Sequence, residues 1–263
     1  MTALVHSAWP AQVGLLSGRA IKRILRNPAQ MIFPIAFPLV LLAVNAAGLD
    51  AATRLPGFPT ASYLDFALAV PFMQGALFAA LNGGQDLARD IEGGFLDRLA
   101  MTPIGGAALL AGQLGGALFM GLVSAILYLV VGIAFGAGIA SGAGGALVLV
   151  LLALAISFAF ACFGTFVALR AGTGEAVQGF FPLFFVLLFL SSAFFPRDLI
   201  EQEWFRIIAT YNPVSYMVEG IRSLVISGWD GQALAQAFAI AAIATVGFLA
   251  LSARALRTRL VRT

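Results

Sequence analysis

The chain has 263 residues, of which 61% are hydrophobic and 10% charged, and its formal net charge is +3. A soluble domain carries about 25% charged residues, so too little polar surface is present to coat a water-facing globule. The basic excess follows the sidedness described below, which leaves a nucleic-acid partner without support.

Charges are separated by long gaps: none occurs between Arg26 and Asp50, Asp65 and Asp86, Arg98 and Arg170, Glu175 and Arg197, or Asp230 and Arg254. A membrane-spanning helix needs about 20 mostly apolar residues. The gap from Arg98 to Arg170 holds two spans divided by the Gly-rich stretch Gly136–Gly145, and each other gap holds one. The expectation is an all-α membrane protein with six transmembrane helices, at about 28–48, 63–85, 106–135, 146–169, 177–195 and 231–253. Helices are favoured because an unpaired backbone group in lipid costs several kcal/mol. A transmembrane barrel requires alternating segments, and Leu183–Leu190 does not alternate.

In chain order, residues 10–27 predict an N-terminal amphipathic interfacial helix. Arg19, Lys22, Arg23 and Arg26 share one face, with Val13, Ile21, Ile24 and Leu25 broadly opposite. Such a basic face suits anionic headgroups and membrane lipids, either as a topology anchor or as a contact for a cytoplasmic partner. The apolar run ahead of it is broken by Pro10 and followed by basic residues, the reverse of signal-peptide order.

Residues 86–104 form the one sizeable internal loop expected on the cytoplasmic side. Asp86, Asp90, Glu92 and Asp97 outnumber Arg89 and Arg98, and Asp86, Arg89 and Asp90 share a helical face. Gly93 and Gly94 break that helix, Phe95, Leu96 and Leu99 start an amphipathic turn, and Pro103 ends it. Apolar side chains beside opposed charges predict a docking surface, where a bare connector would be short and polar.

In the third span, Gly112 and Gly116 form a G-x-x-x-G suited to close helix packing. The fifth span concentrates phenylalanines; Phe181, Phe185 and Phe189 recur every four residues, with Phe184 beside them. An aromatic wall suits a flat hydrophobic substrate, and lipid contact or helix packing is the alternative role. Glu175 and Arg170 stand at the inner mouth of that span, where a solvated role competes with attraction of a cationic substrate.

Residues 196–230 predict an outer re-entrant hairpin of two short helices broken at Asn212–Pro213, rimmed by Trp204, Tyr211, Tyr216 and Trp229. Glu219 and Arg222, at i and i+3, are placed to pair there. The alternative is a surface loop with an aromatic rim.

The positive-inside bias gives eleven basic residues on the side of the termini and four on the other, which places both termini in the cytoplasm. With no targeting peptide, a bacterial plasma membrane is the expected location. Cys162 is the single cysteine and His6 the single histidine, so neither an intrachain disulfide nor a His/Cys metal site is expected. No residue pattern predicts catalysis or a cofactor in this chain.

Two stretches carry a family resemblance: Glu92-Gly-Gly-Phe-Leu-Asp-Arg98-Leu-Ala-Met-Thr-Pro103 followed by Gly112, and Ala193-Phe-Phe-Pro196 followed by Trp204 and Asn212-Pro-Val-Ser-Tyr216-Met-Val-Glu219-Gly-Ile-Arg222. Together they resemble type-2 ABC (ABC-2) export permeases, in particular drug-resistance permeases of the daunorubicin-exporter type. Phe95 and Gln113 depart from the family's frequent Thr and basic residue. The resemblance implies a single transmembrane domain over 1–263 whose loop, through Asp86, Arg89, Asp90, Glu92, Gly94, Phe95, Leu96 and Arg98, docks as a coupling helix on a separate ATPase subunit. It implies two ATPase copies carrying ATP and Mg, a second permease copy or homologue, and outward release of an amphipathic substrate. It also implies that Asn212, Pro213, Tyr216, Glu219 and Arg222 form the outer re-entrant signature.

A partner in trans follows independently. The only lysine, Lys22, is preceded by Ile21 and not Gly, so no G-x-x-x-x-G-K-[ST] phosphate loop exists. A polysaccharide or glycolipid exporter is the rival within the class. An ion-coupled transporter or channel would need ionisable residues at mid-span, and an intramembrane enzyme a nucleophile–base pair; the expected spans contain neither.

Overall fold

The computed structural model describes residues 9–95, 98 and 106–260. Among these there are helices and no strands: α1 (Trp9–Arg26), α2 (Ala29–Gly48), α3 (Tyr63–Ala67), α4 (Ala69–Glu92), α5 (Gly106–Ala134), α6 (Gly142–Ala171), α7 (Gly174–Gly179), α8 (Phe181–Phe189), α9 (Glu203–Tyr211), α10 (Pro213–Ile226) and α11 (Gly231–Leu260). Two short 3-10 turns occupy Asp50–Arg54 and Arg197–Leu199.

Five segments are long and apolar enough to cross a membrane: α2, α3 with α4, α5, α6 and α11. The sixth apolar segment, expected as a helix over 177–195, is the shorter Gly174–Phe189, interrupted between α7 and α8. Pro182 accounts for the interruption: it has no N–H for the Gln178 carbonyl, and its ring crowds that carbonyl. Residues 190–195 then form turns and not a further helical turn. Pro71 stands in the same relation to Ala67, where α3 passes into α4 through Leu68.

The α3–α4 segment is central, with 83% of its apolar window buried, against 17% for α2 and 11% for α11. It packs chiefly on α6, which also packs on α11. The α4–α6 crossing is a backbone contact: a Cβ on Gly164 would lie 2.4 Å from the Ala80 carbonyl oxygen. Close approach through small residues is how helices associate where lipid offers no hydrophobic drive.

Proline inside α2 creates a need that α5 meets. Pro38 has no N–H for the Pro34 carbonyl, and the buried Tyr128 hydroxyl donates to that oxygen at 2.8 Å. Gly75 of α4 makes room for the tyrosine ring, since a Cβ there would lie 2.6 Å from Tyr128 Cε2. A hydroxyl and a glycine on two other helices thus satisfy a carbonyl that has no water to turn to.

Candidate functional site

Three groups of side chains stand out: one at each end of the bundle and one between. At the end where α1, the last turns of α4 and α11 and the start of α5 meet, α1 lies in a groove of α5. Cβ atoms on Gly112, Gly115 and Gly116 would come within 2.3 Å of Leu16, 2.3 Å of Ser17 and 2.8 Å of Ala20, respectively. The Gly112/Gly116 spacing therefore serves packing within the chain.

That seating brings the basic face of α1 onto the acidic end of α4. Arg19 donates to both carboxylate oxygens of Asp90, at 2.8 and 2.9 Å, and Arg23 donates to Asp90 at 2.8 Å. Arg23 also lies 3.4 Å from Asp86, which accepts from Arg89 at 3.1 Å. The Arg19 guanidinium covers the Phe95 ring at 3.8 Å, a cation–π contact. The basic face expected to meet headgroups is thus divided: Arg19 and Arg23 turn inward, while Lys22 and Arg26 remain exposed.

These carboxylates sit on the turns that carry α4 beyond its uncharged span. Burial opposes the Asp90 charge, but Arg19 and Arg23 outweigh it and hold its pKa below the ordinary aspartate value. For Asp86 burial wins over Arg23 and Arg89, and the pKa is raised. The cluster encloses a cavity of only about 40 Å³, far below the roughly 300 Å³ of a small ligand site. It is a joint.

The remaining loop residues face elsewhere. Glu92 is exposed and accepts from the Gly174 N–H at 3.2 Å, next to the Thr173 cap of α7. Gly94 adopts φ +64°, turning the chain after α4, and exposed Arg98 donates to the Gly93 carbonyl at 3.3 Å. Arg89 keeps 52% of its side chain exposed. Leu96, with Asp97, Leu99 and Pro103, lies outside the described residues.

At the opposite end, the expected Glu219–Arg222 pair is not formed. Glu219 instead receives Arg197, through Nε at 2.8 Å and through NH2 as well. Arg222, on the buried face of α10, donates to the carbonyls of Phe66 at 3.1 Å, Ser192 at 3.0 Å and Ala193 at 2.9 Å. Its guanidinium also lies 3.6 Å from the Phe66 ring centroid. The two side chains diverge because Arg222 meets backbone carbonyls freed where α3 and α8 end, whereas Glu219 faces the turn at 197–199.

Asn212 caps α10 by accepting from Val214 N–H at 3.0 Å, and its amide donates to the carbonyls of Leu187 at 2.6 Å and Leu190 at 3.1 Å. Pro213 takes the first helical position, where its missing N–H costs nothing. The Tyr216 hydroxyl donates to Thr210, and Arg197 covers its ring at 4.5 Å. Sequence reasoning passed over Ser192, Ser215, Arg197 and Tyr63. Ser192 N–H donates to the Ser215 hydroxyl at 3.1 Å, and Tyr63 donates to the Phe194 carbonyl at 2.9 Å.

Between the two ends, Phe181, Phe185 and Phe189 of α8 join Phe33 and Phe37 of α2, Phe78 of α4 and Phe194 in one chain of touching rings, with neighbouring centroids 4.8 to 6.3 Å apart. Phe184 lies apart from this wall, packed on Phe160 and Phe163 of α6 at 5.0 and 4.9 Å. One turn before Phe78, Gln74 is fully buried, and neither atom of its amide has a hydrogen-bond partner. A lone amide inside the uncharged run Ala69–Leu81 was the available signal for it.

The chain matches a known family: the ABC-2 type transporter model covers residues 11–226, from α1 to the end of α10. The chain belongs to the ABC-2 type transporter family. No curated protein matches it. ABC-2 membership makes this a multi-pass permease, the membrane subunit of an ABC exporter that associates with an ABC ATPase. Membrane subunits of this family generally lack catalytic activity of their own.

Proposed function

We propose that this ABC-2 permease exports drugs or other amphipathic, lipophilic compounds from a bacterial cell. Two such permeases, identical or related, flank the path, and two ATPase subunits drive it. Both termini face the cytoplasm, in accord with the basic bias of their side. The ATPase contacts the surface left exposed on the terminal side: Arg89, Glu92, Gly94 and Arg98, with Leu96 as part of the same loop. Asp86, Asp90 and Phe95 act behind it by fixing the loop's support to α1.

One observation carries the substrate class: the continuous ring wall from Phe33 to Phe194. Its side chains offer no hydrogen-bonding group, so a polysaccharide would lose its hydration along the wall without replacement. A flat apolar molecule gains area burial and offset stacking, worth roughly 0.5–1.5 kcal/mol per aromatic pair beyond area. Exposed Phe33 and Phe189, at 60% and 53%, leave the wall accessible at both ends.

The test is reconstitution of the co-purified permease–ATPase complex in vesicles, with ATP-dependent movement of a fluorescent lipophilic dye and of an oligosaccharide measured side by side. Dye transport reduced at least about fivefold by Phe181→Ala with Phe185→Ala, a loss of about 1 kcal/mol of transition-state stabilisation, supports the reading. Transport of the oligosaccharide alone, or copies of the chain that purify without an ATPase, overturns it.

A further inference from the structure

At the terminal end, residues of α1, α5, α6 and α11 line a groove of about 570 Å³. Its lining includes Ala107, Ala111, Phe158 and Leu249, with Trp9 and Arg257. We infer that this groove holds one anionic phospholipid of the leaflet on the terminal side, with its phosphate at Arg257 and an acyl chain along Ala111 towards Leu249.

Four observations meet here. The groove lies against α11, whose apolar window is only 11% buried, so that beyond its contact with α6 much of the helix is left to the bilayer. Arg257 is exposed and, among the described residues, forms no ion pair, unlike Arg19 and Arg23. Its charge is therefore free for an anion. Trp9, exposed at 54%, supplies the amphipathic ring that settles at headgroup depth. From Arg257 to Leu249 the helix descends about 12 Å, close to the half-thickness of a bilayer core of roughly 30 Å. A headgroup at the one and a chain reaching the other fit a single leaflet.

The position gives the lipid a consequence. Gly106, which also lines the groove, is the first described residue after the loop, and a Cβ there would lie 3.2 Å from Leu256 of α11. A lipid seated here braces the start of α5 where the loop joins it.

Mass spectrometry of the intact full-length chain, purified with its accompanying subunits from bilayers of equal phosphatidylglycerol and phosphatidylcholine, tests the inference. Retained phosphatidylglycerol should exceed phosphatidylcholine. Arg257→Gln should lower that preference about fivefold, the share of one basic side chain at a lipid surface. Ala111→Trp should expel the lipid from the groove by filling it, and Lys22→Gln with Arg26→Gln should leave most of the preference in place. Equal retention of the two lipids, or a preference that survives Arg257→Gln and vanishes with the Lys22 and Arg26 changes, overturns the site. So does a groove found to hold a second copy of the chain, seen as a dimer that Ala111→Trp dissociates. Because Arg257→Gln alters an exposed side chain, it keeps the test decisive should Ala111→Trp fail to fold.

Discussion

Arg19 and Asp90 lie 71 residues apart in sequence, yet meet through two parallel N–H···O bonds of 2.8 and 2.9 Å. This fork geometry combines charge with direction. It holds α1 at a fixed angle to α4, which a single lysine contact would not do.

Asp90→Asn keeps the shape of the side chain and removes the charge that two guanidiniums share. The expected cost is about 2 kcal/mol, the scale of hydrogen bonds to charged groups. Backbone hydrogen exchange in α1 should accelerate while α5 and α6 remain protected. An α1 that stays as protected as in the unaltered chain would show that the glycine groove of α5 suffices without the charges.

The same joint should tolerate mild acid. The folded pKa of Asp90 is depressed, so its contribution is complete above the unfolded aspartate value near 3.9 and is lost as pH falls through the lower folded value. Asp86 has the opposite sign: its raised pKa means that protonation on acidification relieves a penalty. Exchange in α1, corrected for its intrinsic pH dependence, should therefore not accelerate as pH falls from about 8 to about 5. Loosening within that window would contradict the assignment of Asp90 as the anchoring charge.

Arg222 is expected to matter far more than its helical neighbour Glu219. Arg222→Met leaves the Phe66, Ser192 and Ala193 carbonyls without their donor and should cost about 3 kcal/mol or more. Glu219→Gln breaks a partly exposed pair with Arg197 and should cost under about 1 kcal/mol. Thermal unfolding of the two variants in one detergent compares them. Equal losses would restore Glu219 as the partner of Arg222.

Gln74→Met removes an amide that is buried without a partner, at a saving of roughly 1–2 kcal/mol. The variant should unfold at higher temperature than the unaltered chain. If it is less stable, the amide has a partner in the folded bundle after all.

The apolar helices were legible in the sequence because length and hydropathy are local. Charge-free gaps gave α2, α5, α6 and α11 without reference to anything distant, and Asn212–Pro213 announced the break between α9 and α10. What sequence reading missed depended on which side chains meet across the bundle. The period of Arg19 and Arg23 correctly showed one face, but not that Asp86 and Asp90 would occupy it. Spacing of i and i+3 made Glu219 and Arg222 look like partners; helix ends far away in sequence supplied better acceptors for one, and Arg197 a better donor for the other. Counting apolar residues also saw no difference between Pro182 and its neighbours, though a single missing N–H divides α7 from α8. Phe184 shares a helix with the aromatic wall but not its orientation, a distinction that the four-residue recurrence of Phe181, Phe185 and Phe189 already contained.

The divided segment Gly174–Phe189 has a consequence for the bilayer itself. At 1.5 Å per residue it extends only about 24 Å, less than the roughly 30 Å of a hydrocarbon core. The turns at 190–195 and the Asn212-capped hairpin must fill the remaining height with non-helical backbone shielded by protein. Local thinning of the membrane beside α8 relieves that mismatch, at a cost of a fraction of a kcal/mol per Å. Membrane thickness thereby becomes a variable to which this permease responds, with shorter-chain lipids favouring the arrangement described.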